Sequence, residues 1–532
     1  MTVLLLAGCT SGGDATGDPA PPSTVADRET GPGRAAEEAG GPEPVDLHVV
    51  PLPATVTGAR FPSWSADGER IVFSGRPDGS ERDEVMAVAE DGSDLVCLTC
   101  GVAPGDDRAL LKPVPFTDGR RIAVRVGEQS PVSPADHAVL ECRPSVADCA
   151  AAELVPIVPP AADDPEVRQD QREVRVAPDG ETVALSQVRA RPEGDAALLS
   201  VVGTLRRTAT AYVVDDARVV STLGELKAFT PDGQAVLVAA FTTLVERAAN
   251  PDIVRVDLGT GAVEAVTVDG DYDEDISLAP DQRSYVVASG RGADLFETVS
   301  QLRRPAFVGP GLEPLTAYLF AHHRRELLEP WVVPVGAEAD GEEGQQLNPD
   351  SAAEGYDGRT LMTWHPEGDR VLFWEGGSDP FGPPEGETRL VVARLTDRDP
   401  VEPDAPAASP SPAAWAPAVS GFAPPPLEPP SSRSGDVGGS ATVTVRAGAE
   451  PGATVIEVRY DGFTDDGAWV VDGTESVTSV EGGLLGTTTY RADLTVTGDH
   501  EGFLRADAVI GTAGIVGSIE SEVDGRHLRL PR

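Results

Sequence analysis

The stretch FPSWSADGERIVFSG, residues 61–75, decides the architecture according to whether it stands alone or recurs. It reads as an apolar strand carrying Trp64, a tight turn at Asp67-Gly68, and a second strand with Ile71, Val72 and Phe73. Asp-Gly between two apolar runs signals a hairpin, because glycine accepts the positive φ such turns need. Related stretches stand downstream: VPFTDGRRIAVRVG (114–127), VRVAPDGETVALSQ (174–187), KAFTPDGQAVLVAA (227–240), ISLAPDQRSYVVASG (276–290) and MTWHPEGDRVLFWEG (362–376). The turn acids Asp67, Asp118, Asp179, Asp232, Asp281 and Glu367 are spaced by 51, 61, 53, 49 and 86 residues, so the last interval reads as the same unit with an insertion.

Two more strands follow the hairpins, as in EVMAVAEDGSDLVCLT (84–99) and DIVRVDLGTGAVEAVTV (252–268), which makes each unit a four-stranded meander. So small a sheet cannot bury both faces alone, and several copies must pack radially. The copies PSWSADGERIVFS, APDGETVAL, TPDGQAVLV and WHPEGDRVLF resemble the WD-like repeats of the TolB family, in which a P-x-W-S-P-D-G motif joins the two innermost strands of a blade. The resemblance covers about two-thirds of the chain and implies an all-β fold, a six-bladed propeller over 46–398. Only the first and last copies keep the Trp, and the fifth carries Gln282 where glycine is usual. The sixth unit runs into Pro400 with no fourth strand, whereas DLHVVPLP (46–53) is a spare strand at the other end. The spare strand is expected to complete the last unit and remove an open edge.

At 532 residues with a formal charge of −45, the chain exceeds a single core and would repel nucleic acid and anionic membrane surfaces. The acidity reads as a solvated surface. Residues 1–9, with Leu6-Ala7-Gly8 before Cys9, resemble a bacterial lipobox and imply a lipid anchor on the outer face of the cell membrane. The Gly/Pro/acid-rich segment 10–45 reads as a disordered tether spanning roughly 30–35 Å. Cys97, Cys100, Cys142 and Cys149 allow two disulfides or a four-thiolate zinc site, and an oxidising compartment favours disulfides. The segment 399–439, with eleven prolines from Pro400 to Pro430, reads as a semi-rigid spacer. Beyond it, 440–532 alternates polar and apolar residues between Asp-Gly turns, which predicts a small antiparallel β domain with one solvated face.

Motifs that carry chemistry are scarce. The chain holds no G-x-S-x-G elbow, H-E-x-x-H or Walker loop. His322 and His323, in AYLFAHHRRELLEPW (317–331), read as the solvated face of a short amphipathic helix inserted in the fifth unit. Asp269, Asp271, Asp273 and Asp275 alternate in VDGDYDEDIS, which is no EF-hand, because Glu274 and Pro280 stand where glycine and glutamate are required. The stretch reads as a solvated turn, with a looser calcium site on Asp269, Asp271 and Asp273 as the rival; otherwise no cofactor is expected.

Meander geometry puts the Asp-Gly turns on one face with the turns between strands three and four. Long loops at 75–83, 127–137, 188–210, 241–251, 290–330 and 376–387 then mark the opposite face as the binding face. The candidate contacts there are Asp271, Asp273, Asp275, Arg206, Arg207, Arg324 and Arg325, with Arg120, Arg121 and Glu181 on the far side. The reading is a monomeric, non-catalytic binding or scaffold module for an envelope protein or cell-wall ligand. Its rivals are a glycan- or peptide-acting hydrolase or lyase with its site at the propeller mouth, and a purely structural spacer.

Overall fold

The computed structural model describes residues 42–102, 107–127, 136–191, 196–240, 250–377, 387–402, 408–410, 415–424, 430–450, 452–479 and 486–531. Cys9 and the tether up to residue 41 lie outside the described residues, as do the loops 128–135, 192–195, 241–249 and 378–386.

Antiparallel meanders occupy 56–97, 110–158, 168–221, 224–265 and 273–346, followed by a last sheet over 357–395. They are called units 1 to 6 here. The first strands of the units touch one another in order, and Thr363–Trp364 of unit 6 touches Val56–Trp64 of unit 1. The arrangement is a β-propeller. The edge left open after Leu395 is filled by Val45–Val49, which pairs antiparallel with it from Val45↔Leu395 to Val49↔Val391. The five turn aspartates cap their own hairpins, as where Asp179 Oδ1 accepts the N–H groups of Glu181 and Thr182 at 2.9 and 2.8 Å. Gln282 holds the fifth turn at φ 55°, a conformation that costs a non-glycine residue energy. Both cysteine pairs, Cys97–Cys100 and Cys142–Cys149, are disulfide-bonded.

The C-terminal part is an eight-stranded antiparallel meander from Arg433–Ser434 to Arg526–Leu530, and each strand pairs with the next. One face is solvated and carries charge ladders such as Arg491–Asp507 at 3.3 Å and Arg529–Glu520 at 2.9 Å. The other face is closed by the insertion of unit 5, whose helices Glu297–Ser300 and Glu313–His322 pack into it. Leu315 and Leu319 of the insertion share one apolar core with Leu494, Leu504 and Ile510 of the sheet. The helix expected over 317–331 therefore corrects to 313–322, and it is a docking element. Leu315, Ala317, Tyr318 and Leu319 are buried, and His322 Nε2 lies 3.0 Å from the Thr512 carbonyl.

The segment 399–439 is corrected as well, because it does not stand off as a spacer. Val401 N–H donates to the Glu367 carbonyl at 2.8 Å, and Ser409 N–H to Asp179 Oδ2 at 3.0 Å. Trp415 Nε1 donates to the Leu258 carbonyl at 3.2 Å, while Ala416 and Val419 are buried against units 3 and 4. Val401, Ser409 and Trp415 lie on the Asp-Gly turn side, and 417–422 continue as a strap along the last strand of unit 3, where Val419 N–H donates to the Ala217 carbonyl at 3.0 Å and the Phe422 carbonyl accepts from Arg189 at 2.7 Å. A proline-rich chain suits this, since it loses little entropy on docking and its few N–H groups find turn acceptors.

Candidate functional site

The innermost strands share an irregularity. Register breaks between Arg60 and Ser63, Leu111 and Val114, Gln171 and Val174, Leu226 and Ala228, and Asp273 and Ile276. These sites lie at a common place in the repeat. Phe61, Lys112 and Leu361, each six residues before its turn acid, have φ of 54°, 50° and 67°. A bulge re-aims side chains that regular alternation would send elsewhere. Here it gathers charged residues from adjacent units.

Lys112 of unit 2 donates to Glu173 of unit 3 at 2.5 Å, and Arg175 holds the other Glu173 oxygen at 2.9 Å. Arg172 donates to Glu225 of unit 4 at 2.7 Å. Lys227 sits 3.0 Å from Glu225, 3.5 Å from Glu274 and 3.6 Å from Asp275 of unit 5. Asp275 in turn accepts from Leu361 N–H of unit 6 at 3.2 Å. Ion pairs thus link units 2 to 5 along the inner wall, a backbone hydrogen bond extends the contacts to unit 6, and the ion pairs contain the only two lysines of the sequence.

Burial sets the electrostatics. It would raise the Glu173 and Glu225 carboxyls, but the cations beside them outweigh it and hold both low. Glu274 is raised, because burial and the neighbouring Asp275 and Glu225 outweigh Lys227. Burial lowers the Lys112 ammonium and lowers His137 to about 4, with Arg125, Lys112 and Arg175 adding to the effect. His137 is therefore a neutral imidazole at physiological pH. Lys112, Arg125, His137, Glu173 and Arg175 line a void of only about 10 Å³, space for one water.

The candidates from the sequence are placed differently from expectation. Asp271, Asp273 and Asp275 are buried rather than displayed. Asp271 accepts from the backbone N–H groups of Leu295, Phe296 and Tyr272 at 2.7, 3.4 and 2.9 Å, which anchors the start of the unit 5 insertion. Arg291 grips Asp273 with two bonds of 3.1 and 3.0 Å. With donors and a guanidinium on those oxygens, and Asp269 Oδ1 turned to Asp271 N–H at 2.8 Å, the trio does not fit a calcium ion.

Arg206 and Arg207 end the third strand of unit 3, beside Glu181 through Leu205 N–H to the Glu181 carbonyl at 2.8 Å. That places them on the Asp-Gly side, opposite to expectation, because 188–207 is largely the strands Thr182–Ala190 and Ala196–Arg207 rather than a loop. Arg206 pairs with Asp215, and Arg207 with Glu141 at 2.8 Å. Arg324 is buried, donates to the Gly358 carbonyl at 3.1 Å, and is lowered to about 10 by burial and by Arg359. Arg325 lies in a short helix, and its side chain is outside the described residues. The described side chains of Arg206 and Arg207 are not gathered into one site with Arg324.

Of the inner-wall residues sequence reasoning named only Asp275, and for a different role; it missed Lys112, Glu173, Glu225 and Lys227, although a charge six residues before the turn acid (Lys112, Glu173, Asp275) was a visible signal. It also missed His365, Glu367 and Asp369, which converge on the sixth turn. The Arg370 guanidinium stands 2.8 Å from Glu367 and 3.0 Å from His365 Nε2, so a cation already occupies that corner.

No family model and no curated protein matches the chain. Among solved structures it is similar to TolB from Acinetobacter baumannii, with 14% identity and a TM-score of 0.33, covering 62% of this chain and 64% of that one. It is also similar to an oligogalacturonate lyase from Vibrio parahaemolyticus, with 12% identity, a TM-score of 0.37, and coverage of 67% and 98%. Prolyl oligopeptidase B from Galerina marginata gives 11% identity, a TM-score of 0.31, and coverage of 76% and 47%. The chain spans just under two-thirds of the Acinetobacter protein's length. Likeness at this level concerns the fold and carries nothing about activity.

Proposed function

We propose that the chain is a lipid-anchored, extracytoplasmic six-bladed propeller acting as a non-catalytic binding or scaffold module for an envelope protein or cell-wall ligand. One observation carries the reading: the ionisable groups of the inner wall are committed to one another across unit boundaries, Lys112 to Glu173, Arg172 to Glu225, and Lys227 to Glu274 and Asp275. Such pairs brace neighbouring units. Acid–base catalysis needs a group whose proton is free to move near neutral pH, and His137, the imidazole nearest this wall, is held neutral to about 4. The strap and the docked C-terminal sheet add rigidity, which lowers the ordering cost of binding. No helix among the described residues is long and apolar enough to cross a membrane, so attachment in this reading rests on Cys9.

The enzyme reading keeps one supporting observation. Glu329, buried between units 5 and 6, has its carboxyl raised to about 7 by burial and the neighbouring Asp357 and Glu375, a value suited to a general acid.

The test combines fractionation with binding. Cys9→Ser protein should leave the membrane fraction, and the wild-type protein should retain an envelope component in cross-linked pull-downs. Turnover of cell-wall glycans or peptides by the purified protein, lost in Glu329→Gln, would replace this reading with the enzyme one.

A further inference from the structure

The turns on the Asp-Gly side pack against one another around the ring, with one gap. The Cβ position of Gly180 (unit 3) lies 3.1 Å from Thr117 of unit 2, that of Gly233 (unit 4) 3.4 Å from Pro178 of unit 3, and that of Gly368 (unit 6) 3.4 Å from Pro280 of unit 5. His365 of unit 6 fills the space beside Gly68 of unit 1. Gly119 of unit 2 has nothing within 4 Å. The cause is in the sequence. The residue before the turn acid is proline in units 3 to 6 (Pro178, Pro231, Pro280, Pro366), but unit 1 has the smaller Ala66. A cleft of about 400 Å³ opens there, lined by Ser65, Ala66, Asp67, Asp118, Gly119 and Arg120, with the disulfide-closed hairpin at 144–147 as its far wall.

The strap shows what such a junction holds. Between units 3 and 4, Ser409 donates its backbone N–H to Asp179 Oδ2 at 3.0 Å and stands 2.6 Å from the Cβ position of Gly233. The Ala408 carbonyl accepts from Gln234 Nε2 at 3.4 Å. The repeat equivalents of Asp179, Gly233 and Gln234 at the open junction are Asp67, Gly119 and Arg120, and all three line the cleft. Asp67 Oδ1 is used by Ser65 Oγ at 2.6 Å and Glu69 N–H at 3.1 Å, while Oδ2 accepts no hydrogen bond among the described residues. That is the oxygen which in Asp179 receives the strap.

We infer that the cleft between units 1 and 2 docks an extended, small-side-chain peptide segment of a partner protein, of the Ala-Ser-Pro kind, in the manner of the strap. Resting on the binding reading above, this names the partner's chemistry. The peptide N–H goes to Asp67 Oδ2, its small side chain lies on Gly119, and its preceding carbonyl faces Arg120, whose guanidinium replaces the Gln234 amide. A residue larger than alanine or serine would meet the Gly119 backbone. The groove is short and polar, so a lone peptide binds weakly, with a Kd on the order of 0.1–1 mM.

The test uses a synthetic peptide with the sequence of residues 404–413, DAPAASPSPA, carrying a terminal benzophenone, cross-linked to the full-length protein and mapped by mass spectrometry. Cross-links should fall on 65–67, 118–120 and 144–147. They should drop at least ~10-fold in Asp67→Asn and in Gly119→Asn, the latter chosen because asparagine tolerates the positive φ there. Asp179→Asn, which loosens the strap and the Thr182 hydroxyl contact but does not touch the cleft, should leave cleft labelling unchanged. Labelling that ignores both cleft variants, or that never maps to the cleft, overturns the proposal. Labelling that appears only after removal of residues 1–41 makes this chain's own N-terminal segment the occupant and equally overturns it. A pull-down partner retained by wild type and by both cleft variants removes the cleft and leaves the binding reading. A wild type that holds the peptide but retains no envelope component removes that reading and leaves the cleft.

Discussion

Arg304 and Glu475, 171 residues apart in the chain, meet in a two-pronged ion pair with both side chains fully buried, Nε to Oε1 at 3.0 Å and Nη2 to Oε2 at 2.8 Å. Arg304 comes from the propeller insertion, Glu475 from the strand Trp469–Ser479 of the C-terminal sheet. The hydroxyls of Tyr460 and Tyr490 donate to the same carboxylate at 2.8 and 3.1 Å. The remaining Arg304 amine donates to the Val299 and Leu302 carbonyls, both at 3.0 Å. Every strong polar group is thus answered inside an apolar core, the condition under which a buried pair is tolerated.

Breaking this pair from one side should be costly. Arg304→Met leaves Glu475 charged and buried, and Glu475→Gln leaves the guanidinium without its counter-ion; each should destabilise by about 3–5 kcal/mol. Arg304→Met combined with Glu475→Leu should recover much of that loss. Denaturant unfolding, with limited proteolysis of the C-terminal sheet as a second readout, checks both.

The closure strand gives a second expectation. Val45–Val49 supplies five paired residues to the last sheet, and Glu43 adds contacts of 2.7 Å to Arg398. Deleting 43–49 would expose the Thr388–Leu395 edge and part the last unit from the first. The thermal midpoint should fall by several degrees, and the truncated protein should aggregate more readily because the free edge can pair with another chain. Unchanged melting and solubility would refute the role assigned to that strand.

The repeat frame was legible because its signals are local. Asp-Gly turns and apolar pairs announce each hairpin, and the strand missing after Leu395 pointed to the spare one before residue 54. What sequence misread depends on long-range partners. DYDEDIS looks like a solvated turn, yet Lys227 and Arg291 neutralise it from outside the stretch, and a bulge turns it inward. The linker was misread for a related reason. Prolines declare extension, but the pockets beside Gly233 and Gly368 that receive the strap exist only once the ring is closed. Ala66, by contrast, was visible at the proline position of the repeat all along.

Glu329 supplies a pH dependence. Burial first, and then Asp357 and Glu375, raise its folded pKa to about 7 from 4.5. Between those values the folded state binds more protons than the unfolded state, so this group's contribution to stability falls as pH rises through the window. Glu329→Gln removes the dependence. Its stability relative to wild type should improve from pH 5 to pH 8 by on the order of 2 kcal/mol, measured by urea unfolding at each pH. A difference that stays flat across this range would mean Glu329 is ionised in the folded state throughout.

Lys227 tests the inner wall most directly. Its ammonium is buried and is the shared counter-ion of Glu225, Glu274 and Asp275. In Lys227→Met the methylene packing is roughly kept, while three carboxylates lose their common cation; Arg172 remains on Glu225 alone. The loss should be about 3–5 kcal/mol at pH 7. The pH trend carries the sign. Without Lys227 the folded carboxyls of Glu274, already raised, and of Glu225, which Lys227 holds low, shift upward, so the folded state takes up protons that the unfolded state does not hold. Acidification therefore favours the folded variant, and the deficit against wild type should shrink steadily from pH 7 to pH 5. Lys227→Arg, which keeps the charge but cannot place a compact ammonium among three carboxylates, should lose less at pH 7 and show little of that trend. A deficit in Lys227→Met that is the same at both pH values would assign the cost to packing rather than to charge.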